Sequence, residues 1–237
     1  MWDVHRARAS WPRLEPLAQA QVWLIRLPDD QQALSPETLA CLSPQESQRA
    51  QRFAQARDAR RYMAAHAALR TLLGELLGCA PDVLPWQTDA HGKPHLPGHR
   101  LQFNLSHSDA WALVAVHPAR ALGVDLEIHH PWHDMADLAG SIFHPQESTA
   151  WARLPVADQA RALHAAWTRK EACLKAVGVG LDIPPEQVCV GLADAPAQGR
   201  WQLGHGHQID AAQGVHWCDL SLPLPEPHSA CLAWTPP

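Results

Sequence analysis

Apolar residues alternate with small or acidic ones along residues 122–128, which read Leu-Gly-Val-Asp-Leu-Glu-Ile. This alternation predicts a strand with one face in a core, because successive side chains of a strand point to opposite faces. Asp125 and Glu127 would then stand side by side on the other, exposed face. Neighbouring carboxylates repel each other unless a cation or basic groups lie between them. The pair alone also fits a solvated strand edge, so its chemistry depends on what lies near it.

A helical pattern runs over residues 158–177 and is closed by Gly178. Trp167, Glu171 and Lys175 recur at four-residue spacing and therefore share one helix face. We interpret Trp167 as a packing residue that fixes the helix. Together with the two acids of the strand, this face would provide three carboxylates and one ammonium. Such a set predicts a hard-cation site, and the ammonium suits a phosphate substrate better than a structural metal.

The same patterns predict helices and strands in both halves of the chain, delimited by serine caps, a capping box at residues 43–46 and glycines at helix ends. The first half has predicted helices from Pro36, at 44–55 and at 59–77 (capped by Asp58), and predicted strands at 21–27, 86–89, 101–105 and 111–116. The second half has predicted helices at 134–140, 145–153 and 158–177, and predicted strands at 122–128, 187–192, 200–204, 215–220 and 229–234. Residues 1–20 contain prolines and are predicted to be irregular.

Each half thus combines helices with several strands, which predicts an α+β fold of two similar α/β halves. The halves meet near residues 118–121, so we place the domains at 1–119 and 120–237. No repeated sequence that would mark an internal duplication is apparent.

Composition narrows the function. The chain of 237 residues has a net charge of −5, which argues against a general nucleic-acid binder. No apolar run approaches the roughly 20 residues of a membrane helix, and the N-terminus lacks the apolar stretch of a signal peptide. The six cysteines form no CxxC pair and match no zinc or disulfide framework. We therefore expect a cytoplasmic protein that binds neither nucleic acid nor membrane.

Lysine is rare in this chain, which has 16 arginines but only Lys93, Lys170 and Lys175. Two of the three lysines lie in the helix that carries Glu171, and Lys93 lies in a Gly-Lys-Pro turn before a strand. Because lysine and arginine are not interchangeable, these positions indicate a need for a compact ammonium. Chance placement of three solvated lysines is the alternative.

Polar residues end the predicted strand at residues 103–108, which read Phe-Asn-Leu-Ser-His-Ser. Ser106 and His107 could donate hydrogen bonds to a phosphate, and ordinary turn chemistry is the alternative. A Ser-His hydrolase is disfavoured because no Gly-x-Ser-x-Gly elbow surrounds Ser106. Arg49 and Arg52 lie on the helix with the capping box, where they either keep the surface solvated or bind phosphate.

Four motifs in order resemble the larger, Sfp-type family of 4'-phosphopantetheinyl transferases. They are Gly92-Lys93-Pro94, Phe103-Asn104-Leu105-Ser106-His107-Ser108, Gly123-Val124-Asp125-Leu126-Glu127 and Trp167-Thr168-Arg169-Lys170-Glu171-Ala172-Cys173-Leu174-Lys175. The resemblance spans roughly residues 43–190. The order and the separations of four motifs make it specific, where any one motif alone would not.

The resemblance implies two similar halves related by a pseudo-twofold axis, with coenzyme A bound in the cleft between them. It implies Mg²⁺ held together with the pyrophosphate of coenzyme A by Asp125, Glu127 and Glu171. Mn²⁺ suits the same oxygens. The family's phosphate contacts map onto Lys93, Ser106, His107 and Lys175. Its contacts to the 3'-phosphate of the nucleotide map onto Arg49 and Arg61, whereas Glu46 stands where the family has a lysine.

This resemblance implies transfer of the 4'-phosphopantetheine arm of coenzyme A to a serine of an apo acyl or peptidyl carrier protein, with release of 3',5'-adenosine bisphosphate. Glu171 would be the general base for that serine, directly or through a water, and Lys175 would add charge to the phosphates. Arginines near the cleft, such as Arg57 or Arg60, would steer an acidic carrier protein. A chain that closes its own cleft would be a monomer.

Three other functions are compatible with parts of the sequence. A catalytically inactive relative that binds coenzyme A is disfavoured by the intact acids and Lys175. Another Mg²⁺-dependent phosphoryl-transfer enzyme is an alternative, but its commonest version is excluded because the chain has no G-x-x-x-x-G-K-[ST] loop. A nucleic-acid binder is disfavoured by the net charge.

Overall fold

The computed structural model describes residues 3–6, 19–28, 31–132, 134–192, 198–201 and 214–236. The N-terminal half contains β1 (Asp3–Arg6), β2 (Gln21–Arg26), α1 (Pro36–Ala40), α2 (Pro44–Ala50), α3 (Ala56–Leu77), β3 (Gln87–Thr88), β4 (Pro94–His95), β5 (Gln102–Ser108) and β6 (Trp111–His117). The C-terminal half contains β7 (Leu122–Ile128), α4 (Met135–Ile142), α5 (Pro145–Trp151), α6 (Val156–Val177), β8 (Gln198–Trp201), β9 (Val215–Asp219) and β10 (His228–Trp234). Single turns of 3₁₀ helix occur at Pro81–Val83, Gly180–Asp182 and Pro185–Gln187.

Each half contributes a four-stranded antiparallel sheet. The strand orders are β1-β2-β6-β5 and β7-β10-β9-β8, and β3 and β4 form a separate ribbon. In each half a strand precedes the long helix, and a β-hairpin follows the helix. The second strand of that hairpin pairs with the strand that precedes the helix. In the N-terminal half β6 pairs with β2, and in the C-terminal half β10 pairs with β7. The α+β prediction is confirmed, while the twofold axis and the domain boundary after residue 119 stay predictions.

Three clusters of buried apolar side chains arrange these elements in layers of helix, sheet, sheet and helix. Leu69 and Leu73 of α3 pack on one face of the first sheet. Leu163 and Leu174 of α6 pack on one face of the second sheet. The remaining faces of the two sheets pack against each other, with residues of β6 and β7 in one cluster. The two halves therefore share a core, which holds the edge strands β5 and β7 close together.

A short repeat also marks the two halves. Residues 43–47 read Ser-Pro-Gln-Glu-Ser and residues 144–148 read His-Pro-Gln-Glu-Ser. Each segment opens a seven-residue helix, α2 or α5, with a capping box closed by its glutamate. Each of these helices is followed by a helix of 22 residues. The expectation that no repeated sequence is apparent was therefore wrong, because Pro-Gln-Glu-Ser occurs in both halves.

The glutamates of this repeat make matching contacts. Glu46 Oε2 lies 2.7 Å from Arg70 Nε, and Glu147 Oε2 lies 2.5 Å from Lys170 Nζ. Arg70 and Lys170 are each the fifteenth residue of their 22-residue helix. Each also donates to a proline carbonyl in the segment after its helix, which is Pro81 for Arg70 and Pro185 for Lys170. Both halves thus anchor the segment after the long helix through a buried ion pair.

Several element boundaries differ from the predictions. Asp3–Arg6 is a strand because it pairs with β2, although its own sequence is not distinctive. The helix from residue 44 ends at Ala50, and α3 begins at Ala56 without a side-chain cap, so Asp58 lies inside its first turn. Residues 188–192 form no strand, because Glu147 Oε1 accepts the N–H groups of Val190 and Gly191 in place of a strand partner. Residues 202–204 lie outside the described ranges.

Candidate active site

The acidic strand β7 and the helix α6 meet at the predicted site. Lys175 Nζ lies 2.6 Å from Asp125 Oδ1 and 3.8 Å from Glu171 Oε2. Burial lowers the pKa of Lys175, but the charges of Asp125 and Glu171 outweigh it and raise the pKa above its usual value. The lysine is therefore held as an ammonium among the predicted ligands. The four-residue spacing of Glu171 and Lys175 places both side chains toward β7.

Asp125 is not on an exposed face, contrary to the prediction from the alternating pattern. Only 2% of its surface is exposed, because α6 and β5 cover the face of β7 that would otherwise meet solvent. Ser106 Oγ donates to Asp125 Oδ1 at 2.8 Å, the same oxygen that Lys175 contacts. Asp125 Oδ2 is buried and has no hydrogen-bond partner among the residues that the structure describes. One carboxylate oxygen of the strand is thus left in a position that a cation would satisfy.

Glu127, two residues further along, is held from both sides. Trp167 Nε1 donates to Glu127 Oε1 at 3.2 Å, and Ser108 Oγ donates to Glu127 Oε2 at 3.3 Å. Burial, followed by the charge of Asp125, raises the pKa of Glu127 to about 7. Trp167 is therefore more than the packing residue that the sequence predicted, because its indole orients an acid of the site.

The three acids interact but do not form a closed cluster. Within the described ranges, no group of three or more His, Cys, Asp or Glu side chains is close enough to hold a metal ion. Burial and the charge of Asp125 nevertheless raise the pKa of Glu171, and Lys175 only partly offsets them. Two carboxyl groups with raised pKa values and the unpartnered Oδ2 of Asp125 indicate a deficit of positive charge. Their oxygens fit Mg²⁺ or Mn²⁺, which both prefer such hard ligands.

The other two lysines have other partners. Lys93 Nζ donates to the carbonyl oxygens of Leu122, Lys175 and Ala176, at 3.2, 2.6 and 3.1 Å. Burial lowers the pKa of Lys93 to about 8, although Asp89 opposes the effect. Lys170 is fully buried and forms the ion pair with Glu147. Of the three rare lysines, Lys175 is the one that lies among the acids.

A cavity of about 510 Å³ opens beside Lys175 and is lined by both halves. Its lining includes several of the residues to which the resemblance assigns phosphate contacts: Arg49, Lys93, His107 and Lys175. Burial, followed by the charges of His66, Lys175 and Arg61, lowers the pKa of His107 to about 4. His107 is therefore neutral near pH 7 and can donate one hydrogen bond. The guanidinium of Arg49 lies 5.7 Å from the centre of the Tyr62 ring, and both residues line the same cavity.

Three further residues that the resemblance singled out have protein partners in this structure. Arg61 donates to Asp109 Oδ1 at 2.9 Å, in the turn between β5 and β6. Ser106 is buried against Asp125. Glu46 does not face the cavity as an unpaired charge, because Arg70 and His66 both contact its carboxylate.

Sequence reasoning missed Asn104 and Ser108, which also contact β7. Their signal is present in the chain, because the polar residues at 104, 106 and 108 recur every second position. In a strand this spacing places all three side chains on one face.

Comparisons with known proteins agree with the motifs. The family model described as "4'-phosphopantetheinyl transferase superfamily" matches residues 121–231, and the one described as "4'-phosphopantetheinyl transferase, N-terminal" matches residues 28–119. The chain is 39% identical over 171 residues to the 4'-phosphopantetheinyl transferase HetI of Nostoc sp., which covers 70% of this chain and 72% of the relative.

Two proteins of Bacillus subtilis extend the comparison. A 4'-phosphopantetheinyl transferase is 26% identical over 198 residues, covering 83% of this chain and 77% of the relative. The 4'-phosphopantetheinyl transferase Sfp of strain 168 is 24% identical over 194 residues, covering 81% and 75%. Helices able to span a membrane are absent from the described part of this chain.

Proposed function

This chain belongs to the 4'-phosphopantetheinyl transferase superfamily, and from that premise we propose how its residues carry out the transfer. As a member of this family it is a transferase that moves phosphopantetheine from coenzyme A to a carrier protein. We propose that the reaction depends on Mg²⁺, with Mn²⁺ as a substitute, and that the carrier is an apo acyl or peptidyl carrier protein.

The reaction is a phosphoryl-group transfer. A serine hydroxyl of the carrier attacks the phosphorus that bears the pantetheine arm, and the bond from that phosphorus to the bridging oxygen breaks. The leaving group is 3',5'-adenosine bisphosphate. Negative charge spreads over the phosphoryl oxygens in the transition state, so the protein acts mainly by positioning and neutralising.

In this proposal Asp125, Glu127 and Glu171 hold the metal ion, which when bound neutralises phosphate oxygens as a Lewis acid. Support comes from the buried, unpartnered Oδ2 of Asp125 and from the raised pKa values of the two glutamates. Glu171 accepts the proton of the carrier serine, directly or through a water. Lys175 keeps an ammonium beside the transferred group.

We assign the coenzyme A site to the cavity beside Lys175. Arg49 and His107 provide donors there, and Lys93 lies at the same wall, although its ammonium is engaged by carbonyl groups. Arg61, bound to Asp109, would reach the nucleotide only by exchanging that partner. The cavity and the acids meet at Lys175, so one substrate can span both.

A single observation carries the proposal: the ammonium of Lys175 lies 2.6 Å from the most buried acid of β7 and also lines the cavity. The test is intact-mass spectrometry of an apo acyl carrier protein incubated with this protein, coenzyme A and Mg²⁺. Parallel samples contain a chelator or the Glu171→Gln variant. We expect the mass of one phosphopantetheine to be added in the complete wild-type sample and in neither parallel sample.

The other outcomes separate the alternatives. Coenzyme A binding without transfer to several carrier proteins would identify an inactive relative. Transfer in the presence of the chelator would show that the reaction does not need the metal ion. Transfer by Glu171→Gln at the wild-type rate would remove Glu171 from its assigned roles.

The proposal includes a monomeric protein of the cytoplasm that binds no nucleic acid. All six cysteines are free thiols, as is usual in a reducing compartment. The net charge of −5 is unfavourable for binding nucleic acid. Light scattering of the purified protein, with and without coenzyme A, tests the monomer directly.

A further inference from the structure

Alternate side chains of β5 form a regular ladder with alternate amides of β7. Asn104 Oδ1 accepts the N–H of Val124 at 2.8 Å. Ser106 Oγ accepts the N–H of Leu126 at 3.3 Å, and Ser108 Oγ accepts the N–H of Ile128 at 3.0 Å. Each pair is separated by 20 residues, so the register is constant along the three rungs. We call these three contacts the β5–β7 ladder.

The ladder joins two different sheets. β5 is the edge strand of the first sheet and β7 is the edge strand of the second. An edge strand has backbone groups without a strand partner, and these need other partners when buried. Here side chains of β5 take the place of backbone carbonyls. The two halves are thereby held in one register at the point where the acids stand.

Two rungs of the ladder continue to the acids. Ser106 Oγ, which accepts from Leu126, donates to Asp125 Oδ1 at 2.8 Å. Ser108 Oγ, which accepts from Ile128, donates to Glu127 Oε2 at 3.3 Å. Each serine therefore bridges an acid and the backbone N–H of the residue after it.

The hydroxyl of Ser106 has no capacity left. A serine hydroxyl offers one donor and two acceptor positions. Its donor is used by Asp125, and its acceptor positions by Leu126 N–H at 3.3 Å and Lys175 Nζ at 3.4 Å. Ser106 is also 7% exposed. This arrangement disagrees with the phosphate contact that the family resemblance implies for Ser106, because no donor remains for a phosphate oxygen.

We propose that Ser106 and Ser108 are positioning residues, which fix the carboxylates of Asp125 and Glu127, and that Asn104 extends the same register by one rung. His107, between the two serines, points to the opposite side and lines the cavity. The strand β5 thus orients the acids with one face and contributes Leu105 and His107 of its other face to the cavity, which Asn104 also lines. The role of the serines in orienting metal ligands rests on the proposed function, whereas the contacts of the β5–β7 ladder do not depend on it.

The first test uses protein without metal or coenzyme A. Carboxyl carbon NMR resonances of Asp125 and Glu127 are compared in the wild type, Ser106→Ala and Ser108→Ala. We expect Ser106→Ala to shift the Asp125 resonance, Ser108→Ala to shift the Glu127 resonance, and each variant to accelerate amide exchange at its own rung. Ser141→Ala, at an exposed serine bonded within α4, is the matched control and should change neither resonance. Unchanged acid resonances in folded Ser106→Ala and Ser108→Ala would overturn the proposal.

The second test separates positioning from phosphate binding. Mn²⁺ affinity is measured by electron paramagnetic resonance, and coenzyme A affinity is measured without metal. Groups that orient metal ligands typically change metal affinity by about 10–100-fold, so Ser106→Ala should weaken Mn²⁺ binding in that range. Its coenzyme A affinity should stay within about twofold, and Ser106→Thr should restore Mn²⁺ binding because it keeps the hydroxyl.

The opposite result has a different meaning. Weaker coenzyme A binding by Ser106→Ala with unchanged Mn²⁺ affinity would make Ser106 a phosphate ligand and contradict the positioning role. If the wild type itself binds no Mn²⁺, the proposed metal site fails, while the NMR comparison in metal-free protein still decides the ladder. Should Ser106→Ala not fold, the less buried Ser108→Ala carries both measurements.

Discussion

A methyl group placed on Gly123 of β7 would lie 2.2 Å from the carbonyl oxygen of Ala172 in α6. The backbones of the strand and the helix therefore touch at this residue, which any larger side chain would prevent. Gly123 stands two residues before Asp125, and Ala172 stands between Glu171 and Lys175. The close approach is what places the acids of the strand beside Glu171 of the helix.

Gly123→Ala should therefore damage both stability and the site. The added carbon would also lie 2.4 Å from the Ala176 nitrogen, and backbone on both elements would have to move. We expect a loss of roughly 3 kcal/mol in the free energy of unfolding, at the upper end for overpacking. Denaturant unfolding and the transfer rate measure the two effects. Gly140→Ala is the control, because a Cβ there meets no atom of the described ranges within 4 Å and alanine favours the helix.

The buried pair of Lys170 and Glu147 should be costly to break. Removal of one partner of a buried ion pair typically costs about 3–5 kcal/mol, because a charge is left without compensation. We expect Lys170→Met to lose stability in this range. Lys170→Met combined with Glu147→Gln should recover part of the loss, since the amide is neutral and can still accept from Val190 and Gly191. Additive losses in a double-mutant cycle would contradict the pairing.

Stability at acid pH should depend on Glu46. Burial alone would raise the pKa of Glu46, but hydrogen bonds from His66 and Ser43 outweigh it and lower the pKa from 4.5 to about 2. A depressed folded-state pKa adds stability that is complete above about pH 4.5 and is lost as the pH falls through about 2. The contribution of Glu46 to the free energy of unfolding that is lost at acid pH is on the order of 3 kcal/mol.

Denaturant unfolding of Glu46→Gln between pH 6 and pH 2 tests this linkage. The variant should be less stable than the wild type at pH 6 and should show a shallower decline toward acid pH. Glu75→Gln, at an exposed acid of α3, should keep the wild-type slope. An unchanged slope in Glu46→Gln would show that its carboxylate titrates normally.

Lys175 should not be replaceable by arginine. Its compact ammonium fits between Asp125 and Glu171, whereas a planar guanidinium is larger and binds carboxylates in a fixed fork. We expect both Lys175→Arg and Lys175→Met to lower kcat by about 100-fold or more, because a misplaced charge adds little in the transition state. Steady-state kinetics on carrier protein decide this. Activity near the wild-type level in Lys175→Arg would mean that positive charge alone is enough.

The sequence predicted those parts of the fold that depend on local chemistry. The caps at Ser35 and Ser43 and the αL glycines Gly78 and Gly178 lie where local preferences put them. The start of α3 was predicted less well, because Gln55 caps it without a side-chain bond. Tertiary packing, which local rules do not describe, decides that boundary.

The candidate site shows the same division. Alternation in β7 and four-residue spacing in α6 were enough to bring Asp125, Glu171 and Lys175 together. The burial of Asp125 could not be predicted, because it depends on contact between β5 and β7. That contact is set by the packing of the two sheets against each other. Lys93 and Lys170 look like Lys175 in the sequence, yet their partners are carbonyl groups and a distant glutamate. By contrast, the Pro-Gln-Glu-Ser match between residues 43–47 and 144–148 is a property of the sequence alone.

The central claim is that Asp125, Glu127 and Glu171 hold one divalent cation next to bound coenzyme A. Electron paramagnetic resonance of Mn²⁺ in the presence of coenzyme A tests it most directly. The account predicts one bound ion per chain for the wild type and for Glu75→Gln. It predicts at least about tenfold weaker binding for Glu171→Gln with the fold intact. Equal Mn²⁺ affinity in the wild type and in Glu171→Gln would contradict the account.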